Sequence, residues 1–447
     1  MYLLTNGRVI TRDEGGKGYY EKGAVAYEGT KIVEVGEEAA LRAKYPQAEI
    51  IDARGGVIMP AFINAHTHIY SALARGLSIV GNNPTNFYEV LDGTWWAMDR
   101  KLTLEGSRAS ADALYIDCIK QGVTTIFDHH AAYCEIPGSL FQIGESAKKF
   151  GIRSCLCYEV SDRDGEEKCL QAIKENADWI TYCEQQKDPM LAAMFGGHAL
   201  FTISDKTFDR MVEANNGRTG YHIHVSEGMN DVYDSLQNYG RRPVQRLQDH
   251  GILGEKTILG HCIHVNTAEI EIIKATNTMV VNNPESNMGN AVGTCPVLPL
   301  YKAGILLGMG TDAYTNDMLE SLKVALCSQR SQNCLPNVGW CEVTDMLFKN
   351  NAKIGEKYFP DTLGVLKAGA AADIIVMDYK PYTPFSDENI DGHMIFGMTG
   401  RQCQTTIAAG KTLMLDRQLV GIDEEAENAH ILEASKKLWG DLNHRTY

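Results

Sequence analysis

The chain has 447 residues, 44% apolar and 22% charged, with a net charge of −15. That length excludes one small domain and fits either a large barrel with an accessory domain or two to three ordinary domains. The acidity, without any Lys/Arg block, argues against nucleic-acid binding, and no apolar run approaches the roughly 20 residues of a membrane helix. The start, "MYLLTNGRVITRDEGG", lacks the basic stretch and apolar core of a secretory signal. The 12 cysteines contain no CxxC pair and often sit in apolar runs such as "SCLCYEV". They read as reduced, mostly buried thiols of a cytoplasmic protein.

Residues 1–57 read as short strands and turns, with an Asn-Gly hairpin signal in "YLLTNGRVIT" and a second turn in "GAVAYEGTKIVEVG". The pattern then changes. Strand-like runs at 56–64, 122–128, 151–160, 191–199, 219–225, 256–262, 278–284 and 304–312 alternate with helical spacing such as "EGSRASADALYIDCIKQ". Eight such units predict a (β/α)8 TIM-like barrel over 58–365. Strand-and-turn style returns over 366–422, in "ADIIVMD" and "TTIAAGKTLMLD". One small β-sandwich domain built from both chain ends is therefore expected. An amphipathic helix over 423–447 would place Ile431, Ala434, Leu438 and Leu442 on one face.

A barrel places its chemistry at the C-terminal ends of its strands. Read in that order, the strand ends carry His66 and His68, then His129 and His130, His198, the stretch "HIHVSE" with His222, His224 and Glu227, then His261 and finally Asp312. Any one of these alone is as well explained by a buried polar residue or a turn. Together, potential ligands at the ends of the first, fifth and eighth strands point to a divalent-metal site. Alternation puts His222 and His224 on one face without saying which is chemical. His129 and His130 read as loop positions or as residues behind the ligands, and His250, His264, His393, His430 and His444 as structural. The long segment 76–103 holds Phe87, Tyr88, Glu89, Trp95, Trp96 and Asp99. Its rings suit either a flat heterocycle or packing of Tyr88, Leu91 and Trp95 on the barrel rim, and Glu89 could accept a substrate N–H or hydroxyl.

The motifs "PAFINAHTH" (60–68), "HALFTIS" (198–204), "HIHVSE" (222–227), "GHCIH" (260–264), "NPESN" (283–287), "GTDA" (310–313) and "ADIIVMD" (372–378) together resemble the amidohydrolase superfamily. Within it they are similar to the branch of guanine deaminase, S-adenosylhomocysteine deaminase and the triazine hydrolases. With 76–103 included, the pattern is most similar to SsnA-type aminohydrolases, which are associated with purine catabolism. The resemblance implies metal ligation by His66, His68, His224 and Asp312, a proton shuttle at Glu227, and His261 beside the reactive water. It makes His222 a packed residue or one behind the ligands, His198 a substrate contact beside the loop's own candidates Glu89 and Trp95, and a homodimer the expected assembly, with the C-terminal helix a candidate contact. Binuclear members carry a lysine at the end of the fourth strand. Here the first lysine after that strand is Lys206, so one divalent metal is expected. Zn²⁺ suits the ligand set, as do Fe²⁺ and Mn²⁺. The family's fourth-strand motif has proline where Leu200 stands, which leaves the local loop open to a different bend.

The implied activity is hydrolysis of a C–N bond in a purine-like heterocycle. Loss of an exocyclic amine as ammonia leads. Opening of a cyclic amide in a reduced purine and dehalogenation use the same residues. A non-catalytic scaffold would be expected to have lost ligands, and none is missing.

Overall fold

The N-terminal part supplies five strands, β1 (Tyr2–Ile10), β2 (Tyr19–Glu28), β3 (Lys31–Glu37), β4 (Glu49–Asp52) and β5 (Val57–Pro60). The barrel strands follow: β6 (Phe62–Thr67), β7 (Val123–Asp128), β8 (Arg153–Leu156), β9 (Leu191–Ala193), β10 (Phe195–Ala199), β11 (Tyr221–Val225), β12 (Ile258–His261), β13 (Met279–Asn282) and β14 (Leu307–Met309). The last four are β15 (Ile374–Met377), β16 (Cys403–Ala408), β17 (Lys411–Leu415) and β18 (Gln418–Leu419). This computed structural model describes residues 1–446.

The fold is a (β/α)8 barrel carrying a small β domain made by both chain ends. In the small domain, strands run in the order β18-β17-β16-β15-β5-β1-β2-β3, with β4 beside β1. Alternation along β1 and β2 sends Leu4, Val25 and Tyr27 to one face and Leu3, Ala24 and Ala26 to the other, where Leu41 of the helix Glu38–Lys44 covers them. β5 and β6 are separated only by Ala61, yet β5 pairs with β1 and β15 while β6 pairs with β7. The apolar run expected as one strand over 56–64 thus passes from one sheet into the other. Both its faces are buried throughout, so hydropathy carries no mark of the change.

The barrel strands pair in parallel as β6-β7-β8-β9 and β10-β11-β12-β13-β14. β9 and β10 are two halves of the fourth barrel strand. Met194 N–H still donates to Leu156 O at 3.1 Å, and Phe195 N–H already donates to Gly220 O at 2.9 Å. Closure comes where β6 meets the end of β14, with the Thr311 and Asp312 amides both 3.0 Å from His66 O. Gly310 permits this approach, since a Cβ there would lie 2.6 Å from His66 O.

The C-terminal helix Glu424–Asn443 lies against the barrel helix Leu104–Gln121, burying Ala434 and Leu438. Ile431 and Leu442 pack on the same core, and Trp439 Nε1 donates to Leu73 O at 2.8 Å. Its apolar face is therefore covered by its own chain.

Arg153 on β8 is fully buried, pairs with Asp373 at the start of β15 and lies 3.3 Å from Asp361, and so ties barrel to β domain. Arg153→Met would leave Asp373 charged, buried and without this partner. A loss of about 3–5 kcal/mol is expected, measured as a lower urea midpoint, with no change in the secondary structure of the native state.

Candidate active site

Four strand ends bring six of the expected residues to one point. His66 is fully buried, and its Nε2 has no hydrogen-bond partner and lies 3.4 Å from Asp312 Oδ1. His68 Nε2 is 2.7 Å from the same oxygen and 3.2 Å from His224 Nε2. Outer nitrogens fix the rings: His68 Nδ1 donates to His129 O at 2.6 Å, and His224 Nδ1 to His198 O at 2.9 Å. His66, His224, His261 and Asp312 each offer a ligand atom within 4.8 Å of the others. His261 Nδ1 is 2.8 Å from Asn287 Oδ1, which turns Nε2 toward Glu227 at 3.6 Å and Asp312 at 3.9 Å. The Asp312 carboxylate also accepts from Ser286 Oγ. His222 stands behind His66, with 2.8 Å between its Nε2 and His66 Nδ1.

Residues 57–413 match the amidohydrolase family, and residues 23–48 match an imidazolonepropionase-like composite domain of bacteria. The chain belongs to the amidohydrolase family. It is 31% identical to the 5′-deoxyadenosine deaminase of Methanobrevibacter smithii, over 90% of this chain and 91% of that one. It is 32% identical to the 5-methylthioadenosine/S-adenosylhomocysteine deaminase of Thermococcus sibiricus, over 92% and 94%. An adenosine deaminase from Xanthomonas campestris, solved with bound zinc, superposes with a TM-score of 0.85 at 22% identity, covering 98% of each chain.

In this amidohydrolase the backbone turns sharply where the site needs it. Ser226, His261, Cys262 and Asp312 all have φ between 49° and 69°, left-handed values that ordinary side chains avoid. The turns at the ends of β11, β12 and β14 are held by hydrogen bonds such as Cys262 N–H to Val225 O at 3.0 Å.

Burial dominates the electrostatics. It pushes the Glu227 carboxyl up to about 7, with Asp312 adding to the rise and His261 opposing it. Burial also lowers His66 to about 3 and His198 to about 4. At His68 burial pulls down as well, but the charge and hydrogen bond of Asp312 win and raise it to about 9. Asp312 stays ionised. Burial works against this, and the cation at His68, its bond to the carboxylate and the neighbouring His66 outweigh it.

A cleft leads to these groups from the surface. Phe87, Leu91, Trp95 and Phe201 form its apolar wall, and His198, Glu227 and Asp312 are among its polar groups. Trp95 is half-buried, with its ring 6.3 Å from that of Tyr70. His198 is in the cleft despite Leu200, which starts a short 3-10 turn. Its Nε2 accepts from Trp96 Nε1 at 3.3 Å and its Nδ1 faces Thr202 Oγ1 at 2.9 Å. Glu89 stands apart. It is exposed and accepts from the Thr85 amide at 2.6 Å within its own turn, so it does not line the cleft. Lys206 points outward to Glu166 at 3.4 Å.

Sequence reasoning missed Glu159, Asn290 and the roles of Ser286 and Asn287. "NPESN" stands out as a motif, and only the fold shows that its helix Pro284–Gly289 supplies Ser286 to Asp312 and Asn287 to His261. Glu159 lies in "CYEVSDRD", near the end of the run expected over 151–160, where a lone glutamate gives no signal. His68, His129 and His224 also offer atoms within 4.8 Å of one another. Both His129 nitrogens are already engaged, Nε2 by Gly197 O and His222 O at 3.0 and 3.1 Å and Nδ1 by Glu159 at 3.2 Å.

With metal absent, His68 carries a proton below about pH 9. A cation bound through His68 Nε2 must displace that proton. Zinc affinity is expected to rise by up to about tenfold per pH unit from pH 7 and to level off above pH 9, as read by competition with a chelator.

Proposed function

We propose that this amidohydrolase is a metal-dependent aminohydrolase that removes an exocyclic amine from a purine-like ring as ammonia. One observation carries the reading. His66 Nε2, His68 Nε2, His224 Nε2 and Asp312 converge in front of Glu227, whose carboxyl is pushed to about 7, at the floor of an aromatic cleft. Deaminases among the relatives support the same class of reaction.

The buried, unpartnered His66 Nε2 fits a metal ligand, and His66, His68, His224 and Asp312 would hold one divalent ion. Zn²⁺ is the proposed ion, since three imidazoles and a carboxylate suit it. When bound, such an ion lowers the pKa of water from about 15.7 to about 7 and supplies hydroxide at neutral pH. Asp312 Oδ2, steadied by Ser286, faces the reacting space and takes the proton that the nucleophile gives up. His261 donates Nδ1–H to Asn287, which leaves Nε2 free to take and return a proton beside the oxygen added to the ring. Glu227 protonates the ring nitrogen next to the attacked carbon and, now a carboxylate, relays the proton that Asp312 took from the nucleophile to the departing amine. A carboxyl poised near neutrality can do both. Phe87, Trp95 and Phe201 stack on the ring and keep water out.

The same reading makes the enzyme cytoplasmic, part of purine catabolism and homodimeric, on the strength of the family resemblance. All 12 cysteines are unpaired, which fits a reducing compartment. Among the described residues no helix is long and apolar enough to cross a membrane.

Zinc-loaded protein incubated with a panel of purines is expected to replace an amine by oxygen with equimolar ammonia, read by mass spectrometry. Addition of one water without ammonia would instead establish ring opening and sink the aminohydrolase reading. Glu227→Gln is expected to lower kcat by about 10²–10⁴-fold while zinc content stays unchanged.

A further inference from the structure

Two buried carboxylates in the cleft, Glu159 and Asp231, have no task in the mechanism; Asp231 is used up by the Phe201 and Ser226 amides, at 3.0 and 2.7 Å, whereas Glu159 is not. Glu159 follows β8, and its backbone is locked on both sides: its amide donates to His130 O at 2.8 Å, and Tyr133 Oη donates to its carbonyl at 2.8 Å. The residue is 1% exposed and lines the same cleft as Glu227 and His224. Oε2 meets His129 Nδ1 at 3.2 Å. His129 Nε2 faces two carbonyl oxygens, which only accept, so Nε2 carries a proton. Nδ1 faces the carboxylate, so Oε2 is engaged by His129.

Oε1 has no hydrogen-bond partner. Arg163 Nη2 and His198 Nε2 each lie 3.8 Å away and are engaged elsewhere. Arg163 is bound to Asp99, and His198 to Trp96 and Thr202. An ionised oxygen left buried and unpaired is costly, so the site is built for a donor that arrives with the ligand.

Position says which donor. Glu227, after β11, leans toward β12 through His261, whereas Glu159, after β8, leans toward β7 and β10 through His129 and His198. The two carboxylates therefore reach a bound ring from different edges. In a 6-aminopurine the attacked carbon has N1 on one side and, across C5, N7 on the other. With Glu227 at N1, Glu159 meets the N7 edge. A free base can carry its imidazole proton on N7 and donate it. A base substituted at N9 presents a lone pair there, which a carboxylate repels.

We infer that Glu159 Oε1 accepts the N7–H of a free 6-aminopurine base, making this site selective for free bases over N9-substituted nucleosides. This deepens the aminohydrolase reading and rests on it. The relatives' named substrates are nucleosides, and at 31–32% identity that selectivity is open to change.

The test measures kcat/KM of zinc-loaded enzyme for adenine, 9-methyladenine and 5′-deoxyadenosine, with guanine alongside, in the parent and in Glu159→Gln. Adenine is expected to exceed 9-methyladenine by about 100-fold or more, because a missing donor leaves Oε1 unpaired. A glutamine amide can donate to an N7 lone pair, so Glu159→Gln should shrink that ratio about tenfold or more, mainly through KM and with zinc content unchanged. Should that variant fail to fold, Glu159→Asp keeps the charge and is expected to keep the ratio while raising KM for adenine. Equal or better turnover of 9-methyladenine by the parent, a ratio unmoved in Glu159→Gln, or deamination of guanine but not adenine would overturn the inference and leave an aminohydrolase standing. Ammonia from no purine would remove the parent reading, and this one with it.

Discussion

The site depends on one buried charge. Asp312 is a carboxylate 7% exposed, set among His66, His68 and His261, and an isolated anion in that place would be prohibitively desolvated. It survives because the surrounding groups compensate it twice. Ser286 donates to one oxygen, and His68 takes up a proton at 2.7 Å from the other. The pairing explains why two neighbouring histidines behave so differently. Each is buried, but only His68 makes the close contact with the carboxylate, so His66 is held neutral at about 3 while His68 rises to about 9. A cation entering this centre replaces a proton that already marks its place.

Holding that charge requires backbone that the chain would otherwise avoid. Asp312 and His261 occupy left-handed conformations at strand ends, each costing on the order of 1–3 kcal/mol. Hydrogen bonds across the barrel mouth offset the strain. His66 O accepts the Thr311 and Asp312 amides, and Asn64 Nδ2 donates to Thr311 Oγ1 at 2.7 Å. The same bonds close β6 against β14. Barrel closure and site assembly are thus one event, which is why residues 246 positions apart in sequence, His66 and Asp312, share an atom-scale contact.

The chemistry-bearing residue types were legible because metal sites and barrels impose strict positions. His66, His68, His224, His261 and Asp312 sit at strand ends, and eight apolar runs locate those ends. What the strands do at their margins was not legible. The run over 56–64 changes sheets at Ala61, and the run over 191–199 breaks at Met194, because burial on both faces erases alternation. Support residues were hidden for another reason. Ser286, Asn287 and Glu159 act through distance to groups far away in the chain, and no local spacing records that. Glu89 shows the reverse error. An acid beside aromatics suggests a ligand contact, but three residues after Asn86 it faces back to cap its own turn.

Two glutamates in one cleft show how neighbours rather than residue type set the task. Burial raises both. At Glu227 the opposing positive groups are few and Asp312 adds repulsion, so its carboxyl rests at about 7 and can pass protons in either direction. At Glu159 burial is outweighed by His198, the bond from His129 and the charge of Arg163, and the carboxyl is held at about 2. Arg163 is itself fixed by Asp99 and by the face of Tyr133, 4.0 Å from its guanidinium, so this field does not relax when a ligand enters. One acid is therefore a proton carrier and the other a permanent anion. That separation lets a single cleft move protons at one edge of a ring and read a fixed donor at another.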